Sequence, residues 1–181
     1  MIEVEIDAIR VNLSNYQRVV ILREKGSDRC LPIWIGAFEA EAITHRLQGI
    51  SGPRPQTHDL LSTTIDQLGG KVRSVVVSDM TNDVYYARIE VDQDGKSIEI
   101  DSRPSDALAL AVRQEVPIYV EDAVLAVHGH VISEQGEQGE QGDTGAATSP
   151  SAVTPEELEK LSAFQDFISE LDLDDLGKSD D

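Results

Sequence analysis

The sequence predicts one compact α+β domain followed by a disordered, strongly acidic tail. Several short segments alternate apolar and charged residues, Gly- and Asp-containing turns separate them, and three longer segments have helical periodicity. Because the strands are grouped in hairpins and do not alternate regularly with helices, we expect a largely antiparallel or mixed sheet with about three helices. The predicted units are a domain at 1–132, a flexible EQG-repeat linker at 133–153 and an acidic amphipathic helical tail at 154–181.

Six strands are predicted from alternation and turn residues. The first begins at Ile2, and the others lie at about 18–23, 30–35, 71–80, 84–91 and 97–101. Asp94-Gly95 between the last two is typical of a tight hairpin turn. Pro32 cannot donate a hydrogen bond to a neighbouring strand, so its strand is expected at an edge or paired on one side at that point.

Three helices are predicted in the domain, at about 36–48, 57–68 and 104–114. Pro104 suits the first position of the third helix, where its missing N–H costs nothing. The second helix is expected to bury a stripe formed by Leu61, Ile65 and Leu68. The residues from 117 to 132 are expected to be extended.

Charge is distributed unevenly along the chain. Residues 1–132 carry 20 acidic and 13 basic side chains, a net charge of −7, whereas residues 133–181 carry 14 acidic and two basic ones, a net charge of −12. Such a domain does not attract phosphate backbones at long range. Any activity on nucleic acid therefore needs a local basic site, a bound divalent cation, or both.

The tail has two predicted parts. Polar Gly-containing repeats favour a flexible linker, and a capping box at Thr154 then precedes an amphipathic helical pattern. We expect the segment 154–176 to dock on a protein partner or on its own domain; the alternative is a frayed helix without a partner.

The composition favours a cytoplasmic protein that does not associate with membranes. No apolar run reaches the length needed to cross a bilayer, and the N-terminus lacks the basic and apolar regions of a signal peptide. The single cysteine, Cys30, excludes an intrachain disulfide framework. Its position in a strand favours the role of a small buried apolar residue over that of a nucleophile.

Two polar segments, 54–59 and 101–106, are the main candidates for chemistry, and both precede or begin a predicted helix. A helix N-terminus presents free N–H groups and partial positive charge to a phosphate. Arginine forms bidentate bonds to phosphate, and hydroxyls add a further donor. The predicted substrate phosphate-binding residues are therefore Arg54, Arg103 and Ser105.

The same segments carry carboxylates and an imidazole. Oxygen ligands suit Mg²⁺ or Mn²⁺, and the predicted metal ligands are Asp59, Asp101 and Asp106. Histidine transfers protons near neutral pH, so the predicted catalytic set is His58, Asp59, Asp101 and Asp106. A purely structural explanation stays open, because first-turn aspartates stabilise helix dipoles and Arg103 can pair with a neighbouring aspartate.

Other polar and aromatic residues have simpler explanations. His128 and His130 could bind a metal, but no cysteine or third histidine is evident nearby, so a metal role there is disfavoured. Glu39 is interpreted as a helix-start charge. Trp34 is interpreted as an edge or interface aromatic residue.

Three motifs occur in order: LPIWIGAFEAEAI at 31–43, GPRPQTHDLL at 52–61 and EIDSRPSDALALAVR at 99–113. Together they resemble the bacterial bifunctional nuclease family over about residues 1–132. The resemblance implies a compact α+β fold, association into homodimers or higher homo-oligomers, and nonspecific activity on DNA and RNA. The matched positions include all seven candidate site residues, whose roles are inferred from their chemistry.

The predicted function is therefore nonspecific, divalent-metal-assisted hydrolysis of phosphodiester bonds in DNA and RNA. The alternative is a non-catalytic oligomeric module with a regulatory or protein-interaction role, which the acidic charge and the lack of a basic stripe favour. A weaker third possibility is a sensor of phosphate or nucleotides. The enzymatic hypothesis requires the segments 54–59 and 101–106 to meet in space.

Overall fold

The computed structural model describes residues 1–13 and 16–131. The strands are β1 Ile2–Val11, β2 Arg18–Glu24, β3 Arg29–Ile35, β4 Gly70–Thr81, β5 Val84–Gln93, β6 Lys96–Ser102, β7 Ile118–Val120 and β8 His130–Val131. The helices are α1 Ala37–Leu47, α2 Thr57–Gln67, α3 Pro104–Gln114 and α4 Asp122–His128. None of these helices is long and apolar enough to cross a bilayer.

One mixed sheet connects all the described strands in the order β6-β5-β4-β7-β1-β2-β3-β8. Two antiparallel meanders, β1–β2–β3 and β4–β5–β6, lie on either side of the short strand β7. Strand β7 pairs antiparallel with β1 and parallel with β4. The predicted α+β class with a mixed sheet is confirmed.

The hairpins depend on turn residues with positive φ. Asp94 (φ 52°) and Gly95 (φ 76°) form the two-residue turn between β5 and β6, as the sequence predicts. The β4–β5 hairpin turns in the same way at Asn82 and Asp83. At Pro32, strand β3 pairs with β2 only, because the described part of β8 contacts β3 at Arg29 and Cys30. The missing N–H of Pro32 therefore interrupts no ladder bond on the β8 side.

Helix α3 lies at the centre of the hydrophobic core. Its segment 107–111, ALALA, is almost fully buried and packs against strands β4 and β5 and helices α1 and α2. Alanine residues let neighbouring elements approach closely, while Leu108 and Leu110 fill the remaining volume. Because so much of α3 is fixed by packing, its N-terminal turn has a well-defined position in the molecule.

Two expectations about local structure are wrong. Residues 122–128 form helix α4 and not extended chain, because Val124 and Leu125 bury in the core from consecutive helical positions behind an acidic first turn. Helix α2 does not bury the expected apolar stripe: Leu61 and Leu68 are exposed, and Ile65 is partly buried against the core. The buried residue of α2 is instead His58. Cys30, in contrast, is fully buried, as expected.

The predicted linker at 133–153 and the acidic tail at 154–181 lie outside the described residues. Their expected flexibility, helicity and partner therefore stay predictions from the sequence.

Candidate functional site

The two candidate segments meet through a partly buried hydrogen bond. His58, in the first turn of α2, has its Nε2 atom 3.0 Å from Oδ1 of Asp106, in the first turn of α3. His58 is only 9% exposed. The two segments therefore converge, as the enzymatic hypothesis requires, with His58 buried and Asp106 partly exposed.

Arg103 extends this contact to the surface. Its Nε donates to Oδ2 of Asp106 at 2.8 Å, and its Nη1 donates to Oε1 of Glu39, in α1, at 3.0 Å. The Arg103 side chain is nevertheless 67% exposed. We call Glu39, Arg103, Asp106 and His58 the Arg103 network. It fixes a solvent-facing guanidinium from both sides.

The local sequence explains why Arg103 is held in this way. Arg103 is the N-cap of α3, with φ −69° and ψ 145°, and Pro104 follows it. A residue before proline is restricted to extended conformations, and proline suits the first helical position. Arg103 therefore leaves the helix at a fixed angle, while Asp106, three residues later, lies within reach of its guanidinium.

Asp106 stays ionised within this network. Burial acts to raise the pKa of its carboxyl group, but the hydrogen bonds from Arg103 and His58 outweigh burial and leave the pKa below its usual value. The same bond to Asp106 raises the pKa of Arg103. Arg103 and Asp106 are therefore both charged at neutral pH. Their bond orients the Arg103 guanidinium, and its outer edge stays exposed to solvent.

A pocket of about 630 Å³ lies beside the Arg103 network. Strand β3, the starts of α1 and α3, the β4–β5 hairpin and the α4–β8 connection border it. Its polar and aromatic walls include Trp34, Tyr85, Arg103, Ser105, His128 and His130. Because α1 and α3 both begin at the pocket, the positive ends of two helix dipoles face it.

Ser105 places an unpaired hydroxyl in this pocket. The residue is only 6% exposed, yet it lines the cavity, and its side chain makes no hydrogen bond to any described residue. The Ser105 oxygen is not among the fully buried, unpartnered side-chain atoms of the described residues, so it keeps access to solvent in the pocket. A hydroxyl in this situation is available to a ligand in the pocket.

Asp59 has a different environment. One of its oxygens accepts a 2.9 Å bond from the backbone N–H of Gln56, and the other accepts a 2.6 Å bond from Nε of Arg113. The bond from Gln56, followed by that from Arg113, outweighs burial and lowers the pKa of the Asp59 carboxyl group. Arg113 is buried and also donates to Oε1 of Gln56 and to the carbonyls of Ala42 and Ala109. Asp59 thus helps to hold three helices together and does not line the pocket.

Asp101 and Arg54 also lie away from the pocket lining. Asp101 is exposed on β6, opposite Arg88 of β5. Arg54 is exposed in the loop before α2, and no ion pair joins it to another residue in the described part of the chain. The structure therefore groups Arg103, Ser105, Asp106 and His58, and leaves these two candidates outside the group.

The predicted metal ligands Asp59, Asp101 and Asp106 do not fit a metal site. Within residues 1–13 and 16–131, no group of three or more His, Cys, Asp or Glu side chains is placed to hold a metal ion. Asp59 and Asp106 already bond to arginines, which offset the negative charge that a divalent cation needs. Arginine partners therefore account for Asp59 and Asp106, and Asp101 lies exposed on β6 away from both.

The structure brings four polar residues to the pocket that the sequence arguments did not place in the site: Glu39, Asp83, His128 and His130. His128 also packs edge-on against Tyr85, with ring centroids 6.0 Å apart. The His-x-His pattern was a visible signal, but the sequence argument considered it only as a possible metal site. Only tertiary structure shows that both imidazoles lie in the pocket that contains Arg103.

Comparison with known proteins defines the class of protein. The family model described as "Bifunctional nuclease domain" matches residues 20–133, more than half of the chain. The protein therefore belongs to the bifunctional nuclease domain family, which confirms the resemblance seen in the motifs.

Individual relatives include proteins with and without an assigned activity. The chain is 40% identical over 167 residues to an uncharacterized protein of Mycobacterium tuberculosis, a match covering 92% of this chain and 94% of the relative. It is 30% identical over 117 residues to "Bifunctional nuclease 1" of Oryza sativa subsp. indica, covering 63% of this chain and 35% of that protein. It is 27% identical over 132 residues to "Bifunctional nuclease 2" of Arabidopsis thaliana, a match covering 70% of this chain and 40% of that protein. The plant proteins are thus much longer than the region they share with this chain.

Proposed function

We propose that this protein hydrolyses phosphodiester bonds of DNA and RNA, without sequence specificity, at the pocket beside Arg103. Membership in the bifunctional nuclease domain family supports a nuclease-like function. The observation that carries the assignment to this pocket is the pairing of an exposed, fixed guanidinium with the unpaired Ser105 hydroxyl at the start of α3.

Arg103 and Ser105 form the phosphate-binding part of the proposed site. The Nε and Nη1 atoms of Arg103 bond to Asp106 and Glu39, while its Nη2 makes no hydrogen bond to the described residues. That nitrogen and the Ser105 hydroxyl can donate to phosphate oxygens. The N-terminal end of α3 adds partial positive charge in the same place. These donors also suit the extra negative charge of the transition state.

The two carboxylates beside Arg103 do not make the site repulsive. Asp106 bonds to Arg103 and His58 and lies in the first turn of α3. Glu39 bonds to Arg103 and lies in the first turn of α1, with its carboxylate folded over Gly36. Each negative charge therefore faces a cation or a helix N-terminus, which leaves the outer edge of the guanidinium for substrate.

His128 and His130 are the proposed proton-transfer groups. Both imidazoles line the pocket, and an imidazole ring can accept a proton at one nitrogen and donate one from the other. In hydrolysis, one imidazole accepts a proton from the water that attacks phosphorus, and the other, protonated, donates to the leaving oxygen as the P–O bond breaks. His58, the sequence-based candidate, is buried outside the pocket lining, so we propose that it positions Asp106 and, through it, Arg103.

Divalent-metal assistance stays a prediction from the sequence. No step is assigned to a metal, because the described carboxylates do not fit a metal site. Homo-oligomeric assembly and a partner for residues 154–176 likewise stay predictions, which sedimentation measurements on the full chain would test.

The proposed site is tested by replacing Arg103 in highly purified protein. Arg103→Ala and Ser105→Ala are expected to reduce cleavage of both DNA and RNA, with a loss of about 100-fold or more for Arg103→Ala. Arg73→Ala is a matched control, because Arg73 is also exposed and pairs with an aspartate, Asp92, away from the pocket. Its cleavage rate should match that of the unmodified protein.

The same assay distinguishes the alternative of a non-catalytic oligomeric or protein-interaction module. That alternative is favoured by exposed apolar side chains such as Phe38, which is 84% exposed and directly precedes the pocket residue Glu39. If the Arg103 and Ser105 variants are folded and cleave as well as the control, the activity does not come from this pocket, and the interaction module becomes the better assignment.

A further inference from the structure

Trp34 is exposed at the pocket that contains Arg103. Its residue exposure is 60%, although tryptophan is among the side chains that gain most from burial. It projects from β3 and lines the same cavity as Arg103 and Ser105. Tyr85 and His128, packed edge to face, form another wall of this cavity.

We propose that Trp34 is a stacking surface for an unpaired nucleobase, and that the substrate class of this site is therefore single-stranded nucleic acid. The inference rests on the proposed function of the pocket. Proteins that bind single strands combine a cationic contact to the backbone with aromatic side chains on which bases stack. Here Arg103 supplies the cation and Trp34 the aromatic face.

The size of the pocket agrees with this substrate class. A cavity of about 630 Å³ lies in the range that holds small molecules, and so it can accept a nucleotide unit. In a duplex both faces of each base are covered by its neighbours, so a base must leave the stack before it can reach Trp34. An unpaired strand offers its bases without that cost.

Charge disfavours a duplex for an independent reason. Residues 1–132 have a net charge of −7, so the domain repels dense negative charge. A duplex carries one charge per about 1.7 Å of axis, about twice the density of a single strand. Among the described residues, one exposed arginine lines the pocket, so the site can offset the charge of a single phosphate more readily than that of two closely spaced strands.

The stacking surface can be measured without any cleavage. Trp34 is the single tryptophan of the chain, so its fluorescence reports directly on a base that stacks against it. The full-length protein is titrated with an eight-nucleotide thymidine strand, with an abasic strand of the same length, and with a hairpin duplex. We expect saturable quenching with the thymidine strand and much weaker binding of the other two.

Variants separate stacking from general surface effects. By anisotropy of a labelled thymidine strand, Trp34→Ala should weaken binding about 5- to 150-fold, while Trp34→Phe should retain most of the affinity. Phe38→Ala is the matched control, because Phe38 is a more exposed aromatic residue outside the pocket lining. Its affinity should be unchanged.

Three results would overturn the inference: equal affinity for the abasic strand, tighter binding of the duplex, or no loss of affinity in folded Trp34→Ala. The titration of the unmodified protein decides the question even if a variant does not fold. Failure of the proposed function is distinguishable, since it appears as unchanged cleavage in Arg103→Ala. If Arg103→Ala loses cleavage while Trp34→Ala binds the thymidine strand normally, the stacking role is rejected and the proposed function stands.

Discussion

Replacing Asp59 with alanine should destabilise the fold more than it affects chemistry. Asp59 was a sequence-based candidate for catalysis and metal binding, but in the structure it bonds to the backbone N–H of Gln56 and to the buried guanidinium of Arg113. Arg113 connects α2 to α1 and α3 through its other donors. Asp59→Ala removes a carboxylate partner from this buried cation.

The magnitude follows from the two bonds that are lost. A hydrogen bond to a charged group contributes about 1.5 to 3 kcal/mol, and a bond to a helix-start N–H contributes about 0.5 to 2 kcal/mol. Asp59 is 43% exposed, so solvent screens part of its charge and the lower half of the combined range applies. We expect the free energy of unfolding to fall by about 2 to 3 kcal/mol.

Urea unfolding followed by circular dichroism measures this change. The midpoint should fall by about 1 to 2 M with little change in slope. Asp66→Ala is the matched control on the same helix, because the Asp66 carboxylate makes only long contacts to Gln114, at 3.4 and 3.5 Å. Its substitution should change the free energy of unfolding by less than about 0.5 kcal/mol. Normal stability of Asp59→Ala together with lost cleavage would refute this reasoning and restore Asp59 to the chemistry.

Further predictions concern the Arg103 network and the acid stability of the fold. His58→Ala should lower kcat/KM about tenfold or more through loss of support for Arg103, yet leave the shape of the pH–rate profile unchanged; a changed profile would assign proton transfer to His58. Gly36→Ala adds a Cβ that clashes with the Glu39 carboxylate, so phosphate binding measured by calorimetry should weaken; unchanged affinity would remove Glu39 from the site. If the metal prediction is correct, EDTA abolishes cleavage and Mg²⁺ or Mn²⁺ restores it, whereas full activity in EDTA would reject it. Because Asp59 and Asp106 have pKa values below the usual 3.8, their stabilisation is present above about pH 4 and declines as pH falls through the folded-state values; an unfolding free energy that stays constant down to pH 2 would contradict this.

The strands and hairpins were largely predictable, because their signals are local. Alternation and turn residues such as Asp94-Gly95 depend on backbone geometry within a few residues. The strand order was not predictable in this way. The parallel pairing of β7 with β4 depends on how α3 packs across the sheet.

The errors concern elements whose surroundings decide their conformation. Residues 122–128 contain an apolar run compatible with strand or helix, and the burial of Leu125 selected a helix. Leu61 in α2 and Leu68 directly after it are exposed, so the helical pattern predicted an apolar stripe that the fold does not bury. Burial is a property of the whole fold, and periodicity indicates only which residues share a face.

The sequence by itself determined that residue types suited to phosphate chemistry begin two helices, since Pro104 and its neighbours act within one turn. Only the tertiary structure decided how these residues divide their roles. It placed Asp59 on a buried arginine, His58 behind Asp106, and Ser105 in a pocket with two histidines from the other end of the domain. The physical reason is that partners distant along the chain satisfy or leave open each polar group, and those partners are chosen by packing.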